Sequence, residues 1–247
     1  MKTLVIANQK GGVGKTTIAV HIALQAVKMG KKTLYIDLDV QANSSAFMEN
    51  SHADAILKVS DLFKTNQQFH FDANAALVLF AADSDFADTN LNLDNWKANI
   101  TSLSGEFDLC VIDTPPTLGL SQVAPMLVTD YVVSPIEPSP FSVQGSANLL
   151  TTLSNLQQSY NPNLKFLGLL PSRVNANNNR QLEILAQMRK EYAHLMYPND
   201  MYIQERQAFV DSSYLKIPVW QIREHAAKKV ATRVRPILID IINRVLQ

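Results

Sequence analysis

Of 247 residues only one, Cys110, is a cysteine, and that scarcity removes several classes of protein at once. A lone thiol makes no intrachain disulfide, no cysteine-rich zinc site and no cluster held by several cysteines of one chain. A reducing cytoplasm is the expected setting. Long apolar runs are missing too. The N-terminal run Leu4-Val5-Ile6-Ala7 stops at Asn8, too short for the core of a secretion signal. No stretch approaches the ~18 apolar residues of a membrane span, so neither secretion nor spanning is expected. Glycine and proline are sparse, at 8 and 11 residues, and with 47% hydrophobic and 18% charged residues the composition is that of a globular protein, not of a disordered chain or a fibre. A chain of this length can bury about 70% of its unfolded surface. No linker or internal repeat interrupts it, and residues 1–247 are expected to form a single domain.

Net charge is also absent, 22 Lys and Arg balancing 22 Asp and Glu, but the balance hides a segregation. Residues 37–113 hold 13 acidic side chains against Lys58, Lys64 and Lys97, whereas from Arg173 onward 12 basic residues face 7 acidic ones. Such asymmetry is the footprint polyanion binding leaves; solvated, arginine-rich helix faces would give the same count.

Short apolar runs alternate with helical patterns, the sign of βαβ units and a parallel sheet. Strands are expected at Thr3–Ala7, Lys32–Ile36, Leu77–Phe80, Leu109–Ile112, Tyr131–Pro135 and Lys165–Leu170, and helices at Thr16–Met29, Ser142–Tyr160 and Gln181–Tyr192. The polar, acidic region Asn43–Asp94 shows no clear strand spacing; a mobile flap and a helix near Val59–Phe63 are expected there. From Arg223 the pattern is helical, and Pro236 implies a kink or a break. The fold class is α/β, a mostly parallel, doubly wound sheet flanked by helices, with its ligand at the carboxyl ends of the strands.

Between the first strand and first helix lies Gln9-Lys10-Gly11-Gly12-Val13-Gly14-Lys15-Thr16-Thr17. Glycines let successive N–H groups converge on phosphate oxygens, the helix N-terminus adds favourable potential, Lys15 reaches the outer phosphates and the Thr16 hydroxyl can ligate magnesium. The general P-loop pattern asks for glycine where Gln9 stands. A dinucleotide fingerprint would need glycine where Thr17 stands, so a nucleoside triphosphate is the expected ligand. Two further segments end expected strands in carboxylates. Asp37-Leu38-Asp39 carries acids at i and i+2, and Val111-Ile112-Asp113 ends an apolar strand. Asp113 stands where a Walker-B acid holds magnesium through water, and Asp39 where an attacking water would be oriented.

These three motifs together, with Pro135-x-x-Pro138, Ser142, Gly145 and the Arg206…Pro218 stretch, resemble the ParA/MinD-type deviant Walker A ATPases, most of all a small partition ParA. The resemblance spans nearly the whole chain and implies a P-loop NTPase fold and slow, partner-stimulated hydrolysis of ATP with Mg2+. It implies that Lys10 crosses an ATP-sandwich homodimer to the partner's phosphates, that the Gly11–Thr17 loop, Val13 included, binds the nucleotide, and that Asp37 supports the magnesium shell. Position puts Ser172 and Arg173 near the adenine. Val40 departs from the proline usual in such proteins. The family cycle further implies non-specific binding of double-stranded DNA by the ATP dimer and release by a ParB-like or other cargo adaptor, so that a plasmid, chromosome or protein cargo is segregated by a nucleoid-associated ATPase. Lys216, Arg223, Lys228, Lys229 and Arg233 are the DNA-contact candidates. A MinD-like membrane cycler is the alternative, but Pro236–Gln247 is so densely apolar that it reads as a core helix. The five histidines and two tryptophans read as packing or surface residues.

Overall fold

The computed structural model describes all residues except 50, 66, 89, 90, 118, 141 and 143–145, and Asp88 by its backbone alone. Seven strands form one sheet: β1 (Lys2–Ile6), β2 (Thr33–Asp37), β3 (Ala55–Lys58), β4 (Leu77–Ala81), β5 (Leu109–Asp113), β6 (Tyr131–Ile136) and β7 (Lys165–Pro171). Their order is β3-β4-β2-β5-β1-β6-β7 and every pairing is parallel. The helices are α1 (Lys15–Lys28), α2 (Asn43–Met48), α3 (Ser84–Asp88), α4 (Leu93–Ser102), α5 (Leu120–Val123), α6 (Ala147–Ser159), α7 (Asn179–Glu191), α8 (Gln207–Leu215) and α9 (His225–Leu246).

The strands read as unbroken apolar runs because both sheet faces are covered. β1 sends Leu4 and Ile6 to one face and Val5 and Ala7 to the other; β5 does the same with Val111 against Cys110 and Ile112. The first face packs on α1 and α9, the second on α4 and α6. Successive strands step outward from β1 to one side, return at β5, and continue past β1 to β6 and β7. That reversal opens a crevice at the carboxyl ends of β1 and β5, where doubly wound sheets bind ligands.

Three expectations need correction. Asn43–Asp94 is not a flap with a single helix, because it contributes the edge strand β3 and the short helices α2 and α3 beside a 3-10 turn at Val59–Phe63. β3 was illegible since Ala55, Ile56, Leu57 and Lys58 are only half-buried or exposed, as an edge strand is, and form no apolar run. Helix α9 is not broken at Pro236, whose ring lies on the exposed side, where water can satisfy the carbonyl it leaves unpaired. The helix expected over Ser142–Tyr160 is not continuous: Ser142 is helical, Ser146 lies in a turn and α6 runs from Ala147 to Ser159; Gly145 lies outside the described residues.

The apolar side of α9, including Ile237, Leu238, Ile241, Ile242 and Val245, is buried in the core. Among the described residues no helix is long and apolar enough to cross a membrane.

The outer edge of the sheet depends on one glycine. Register slips between Val132 and Val133, so Phe166 and Gly168 become their partners and Leu167 bulges out. Gly168 has φ +123°, and a Cβ there would lie 2.7 Å from the Tyr197 backbone nitrogen. Gly168→Ala is therefore expected to cost about 2 kcal/mol or more, read as a lowered urea midpoint; an unchanged midpoint would mean the 196–197 backbone can move away freely.

Candidate functional site

The loop after β1 turns on two glycines in the left-handed region, Gly12 at φ +74° and Gly14 at φ +94°. A Cβ on Gly14 would come within 3.1 Å of the Ser172 hydroxyl, so the end of strand β7 presses on the loop from behind. Helix α1 then starts at Lys15 with neither a side-chain cap nor an acid in its first turn, which leaves its leading N–H groups for an anion. Two residues hold the loop in place. Buried Asn8 accepts from the Lys10 N–H (2.8 Å) and donates to the Pro135 carbonyl (2.8 Å) and Ser134 hydroxyl (3.2 Å), tying the loop to β6. Arg173, itself at φ +56°, donates to the Gly12 carbonyl (2.9 Å) and pairs with Glu205 (2.7 Å).

Both lysines of the loop have fixed posts. Lys15 is buried and donates to the Lys10 carbonyl (3.2 Å); burial lowers its pKa while Asp113 and Asp39 pull it back up. Lys10 is exposed, and its ammonium pairs with Glu137 at 3.1 Å.

The carboxylates converge because β2 and β5 are in register, Asp37 opposite Asp113 at their carboxyl ends. Asp37 is fully buried, and its oxygens are engaged by the Asp39 N–H (3.0 Å) and by the N–H and hydroxyl of Ser45 (2.9 and 2.7 Å). It thereby shapes the turn that presents Asp39, which accepts from the Gln41 N–H (3.0 Å), and seats α2. Val40, at the turn's tip, is exposed. Asp113 is buried with no hydrogen-bond partner on either oxygen. Burial and then the Asp37 charge push its pKa up to about 8, against the partial relief of the nearby Thr16 hydroxyl and Lys15 ammonium. An orphaned carboxylate beside a helix-start threonine suits Mg2+, which takes few protein ligands and keeps its waters and the substrate's phosphates. Among the described residues no group of three or more His, Cys, Asp or Glu competes as a metal centre.

Ser172 and Arg173 line a cleft of about 360 Å³ whose floor is Gly12, Gly14, Thr17 and Ile18. Its far wall, Ile203, Phe209 and Val210, comes from the segment that pairs with the end of β7 through the Val174 N–H and Ile203 carbonyl. Sequence reasoning singled out the Arg206…Pro218 stretch, which holds Phe209 and Val210, but gave this wall no role and missed Ile203 and Asn8. The wall lies in a stretch without periodicity, and Asn8 looks like an ordinary strand terminator.

The five expected DNA-contact cations are all exposed. Arg223, Lys228, Lys229 and Arg233 are exposed at and beyond the start of α9, with Arg233 bonded to the Gln204 side chain (2.8 Å). Lys216 sits at the left-handed end of α8 (φ +54°), beside a cavity that also touches Thr16 and Thr17.

Residues 1–166 match the family described as AAA domain. Protein IncC of Escherichia coli is 37% identical over 248 residues, covering 95% of this chain and 67% of its own length. The sporulation initiation inhibitor protein Soj of Bacillus subtilis (strain 168) is 28% identical over 207 residues, 79% of this chain and 82% of Soj. Among solved structures, an ATP complex of a substituted Cyanothece McdA superposes with a TM-score of 0.74 at 23% identity, covering 95% of this chain and 96% of that one. The septum site-determining protein MinD of Pyrococcus horikoshii OT3, complexed with Mg-ADP, reaches 0.76 at 19% identity over 97% of this chain and 95% of its own. At such identities the structures show a shared fold.

The strained charge at Asp113 has a measurable sign. Folding raises its pKa from 3.8 to about 8, so between those values the folded chain keeps a proton that the unfolded chain releases. Its stability contribution is complete at about pH 4 and is lost as pH rises through 8. Without nucleotide, Asp113→Asn is expected to be more stable than the parent at pH 8 by roughly 1–3 kcal/mol and equal to it near pH 4. Identical urea midpoints at both pH values would show that the carboxyl is not strained.

Proposed function

The chain belongs to the AAA-domain family of ParA/MinD-type P-loop ATPases, and we propose that it is a partition ATPase whose ATP-bound homodimer carries cargo on DNA. The observation that carries this reading is the pairing of an uncapped phosphate loop with an orphaned Asp113 and an exposed second lysine, Lys10.

ATP is the substrate. The α1 amides and the N–H groups of Gly11 to Thr17 bind its phosphates, and Lys15, whose burial weakens its hold on its proton, is paired with phosphate charge. Thr16 and Asp113 hold Mg2+, with Asp37 supporting the shell through the turn it organises. Bound magnesium neutralises charge on the transferring phosphoryl group. Asp39 orients the attacking water from a turn whose backbone is fixed at both ends by carboxylate bonds. The cleft beneath Ile203 and Phe209 takes the base, with Ser172 and Arg173 at its edge.

Lys10 is suited to a role across a dimer interface. An exposed ion pair such as Lys10–Glu137 is worth only about 0–1 kcal/mol, so its ammonium is easily given to a partner's phosphates. Lys216, Arg223, Lys228, Lys229 and Arg233 supply cations for the DNA backbone, and dimerisation doubles them, which matters because affinity rises steeply with the number of phosphate contacts. A ParB-like or other adaptor stimulates hydrolysis and ends the DNA-bound state, in the cytoplasm and on the nucleoid.

Light scattering should show Lys10→Ala monomeric in saturating ATP while the parent dimerises; a normal dimer would remove Lys10 from the interface. Asp39→Ala should bind ATP yet lose roughly 10²-fold or more in stimulated kcat, and a parental rate would end its assignment. Binding to random duplex DNA should require ATP and weaken steeply with salt, the slope falling by about 1 for each contacting lysine removed. Dimerisation without DNA binding would refute the DNA reading.

A further inference from the structure

His21, on the second turn of α1, is a buried polar side chain that bridges two distant segments. Only 2% of it is exposed. Its Nε2 lies 3.2 Å from the Val219 N–H, which can only donate, so Nε2 is the acceptor. The ring proton therefore sits on Nδ1 and is donated to the Thr17 carbonyl at 2.7 Å. Ser212 comes within 3.4 Å of the same Nε2, with its own proton committed to the Ile217 carbonyl at 2.6 Å. Phe209 and Trp220 meet the ring edge-on at 5.6 and 5.4 Å. Burial keeps the imidazole neutral, holding its pKa down at about 4, so the polarity of this bridge does not change near neutral pH.

One end of the bridge is thus the first turn of the phosphate-loop helix, immediately after Thr16. The other is the turn from Ser212 to Val219, with Lys216 in the left-handed conformation at its apex. A second element holds that apex. The Lys216 carbonyl accepts from the His52 ring (2.9 Å), and His52 stacks on Phe47 of α2 at 5.5 Å. Helix α2 in turn is seated by the Asp37–Ser45 bonds. A cavity of about 350 Å³, lined by Thr16, Thr17, His21, Asn43, Ser213 and Lys216, borders both the phosphate-loop helix and this turn. Beside that cavity the turn packs on α1 in the core through Val219, and the named hydrogen bonds supply its directional connection.

We propose that His21 is a positioning residue that couples the phosphate-loop helix to the Lys216 turn, so that ATP on the loop fixes the placement of Ser212–Val219. The core packing of α1 against the turn is apolar, and apolar packing tolerates sliding in a way a directional N–H···N bond does not. The proposal rests on ATP occupying the loop and is independent of DNA binding.

The test is hydrogen exchange of the 212–219 amides with and without a non-hydrolysable ATP analogue, alongside a separate titration with fluorescent ATP. In the parent, the Val219 amide should exchange about tenfold more slowly with the analogue bound. His21→Gln places an amide oxygen where Nε2 stands and should keep this protection. His21→Asn retains only the Thr17 side of the bridge, and His21→Leu neither; both should bind ATP within about threefold of the parent while losing at least three-quarters of the ATP-dependent protection. A merely structural histidine would leave that protection intact in any variant that folds. Protection surviving in the Asn or Leu variant, or lost equally in the Gln variant, would overturn the proposal. So would Val219 exchange in the unmutated protein that ignores the analogue, a result needing no variant. Failure of the fluorescent titration alone would instead strike the ATP reading.

Discussion

Two carboxylates brought into register at the ends of adjacent parallel strands are the constraint around which this molecule is arranged. Asp37 and Asp113 face each other across the β2–β5 pair in a buried setting, where like charges strongly resist joint ionisation. The protein resolves the conflict unequally. Asp37 receives three donors from its own chain and becomes a structural hub for the Asp39 turn and α2. Asp113 has no comparable set of donors, and burial beside Asp37 disfavours its negative charge until a proton or a cation neutralises it. Chemical work is thereby divided between two residues of the same type by environment alone.

The sheet makes that arrangement possible. In a parallel sheet all carboxyl ends lie on one edge, so β1, β2 and β5 deliver Lys15, Asp39 and Asp113 to a single crevice without any long loop. β7 and the segment after it add the opposing wall, through Ser172 against Gly14 and through the chain Glu205–Arg173–Gly12. Exposed cations remain on α9, whose other side is committed to the core. The same helix therefore cannot also offer that apolar side to a lipid surface.

Much of the site was readable beforehand because its residues are adjacent in sequence. The Lys10–Thr17 loop, Asp37, Asp39 and Asp113 are each bound to a strand end, and an apolar run followed by glycine or acid betrays a strand end. Other parts were hidden for physical reasons. Strand β3 is half-exposed and lacks an apolar run. The cleft wall at Ile203 to Val210 shows no clear period and takes its position from pairing with the end of β7 and from the packing of α8 on the core. Pro236 signalled a break, yet its exposed setting lets the helix continue. The place of Lys216, in a left-handed turn whose carbonyl bonds the His52 ring, is likewise set by a contact no local pattern shows.

The sequence by itself determined the residue types of the candidate site and the layer architecture, since residue type, short spacing and periodicity are local properties that survive any packing. Only the tertiary structure decided the charge state of Asp113, the closure of the cleft by a segment far along the chain from the loop and the attachment of His21 to Val219. Burial depth and long-range hydrogen bonds are set by which surfaces meet. No local pattern records that meeting.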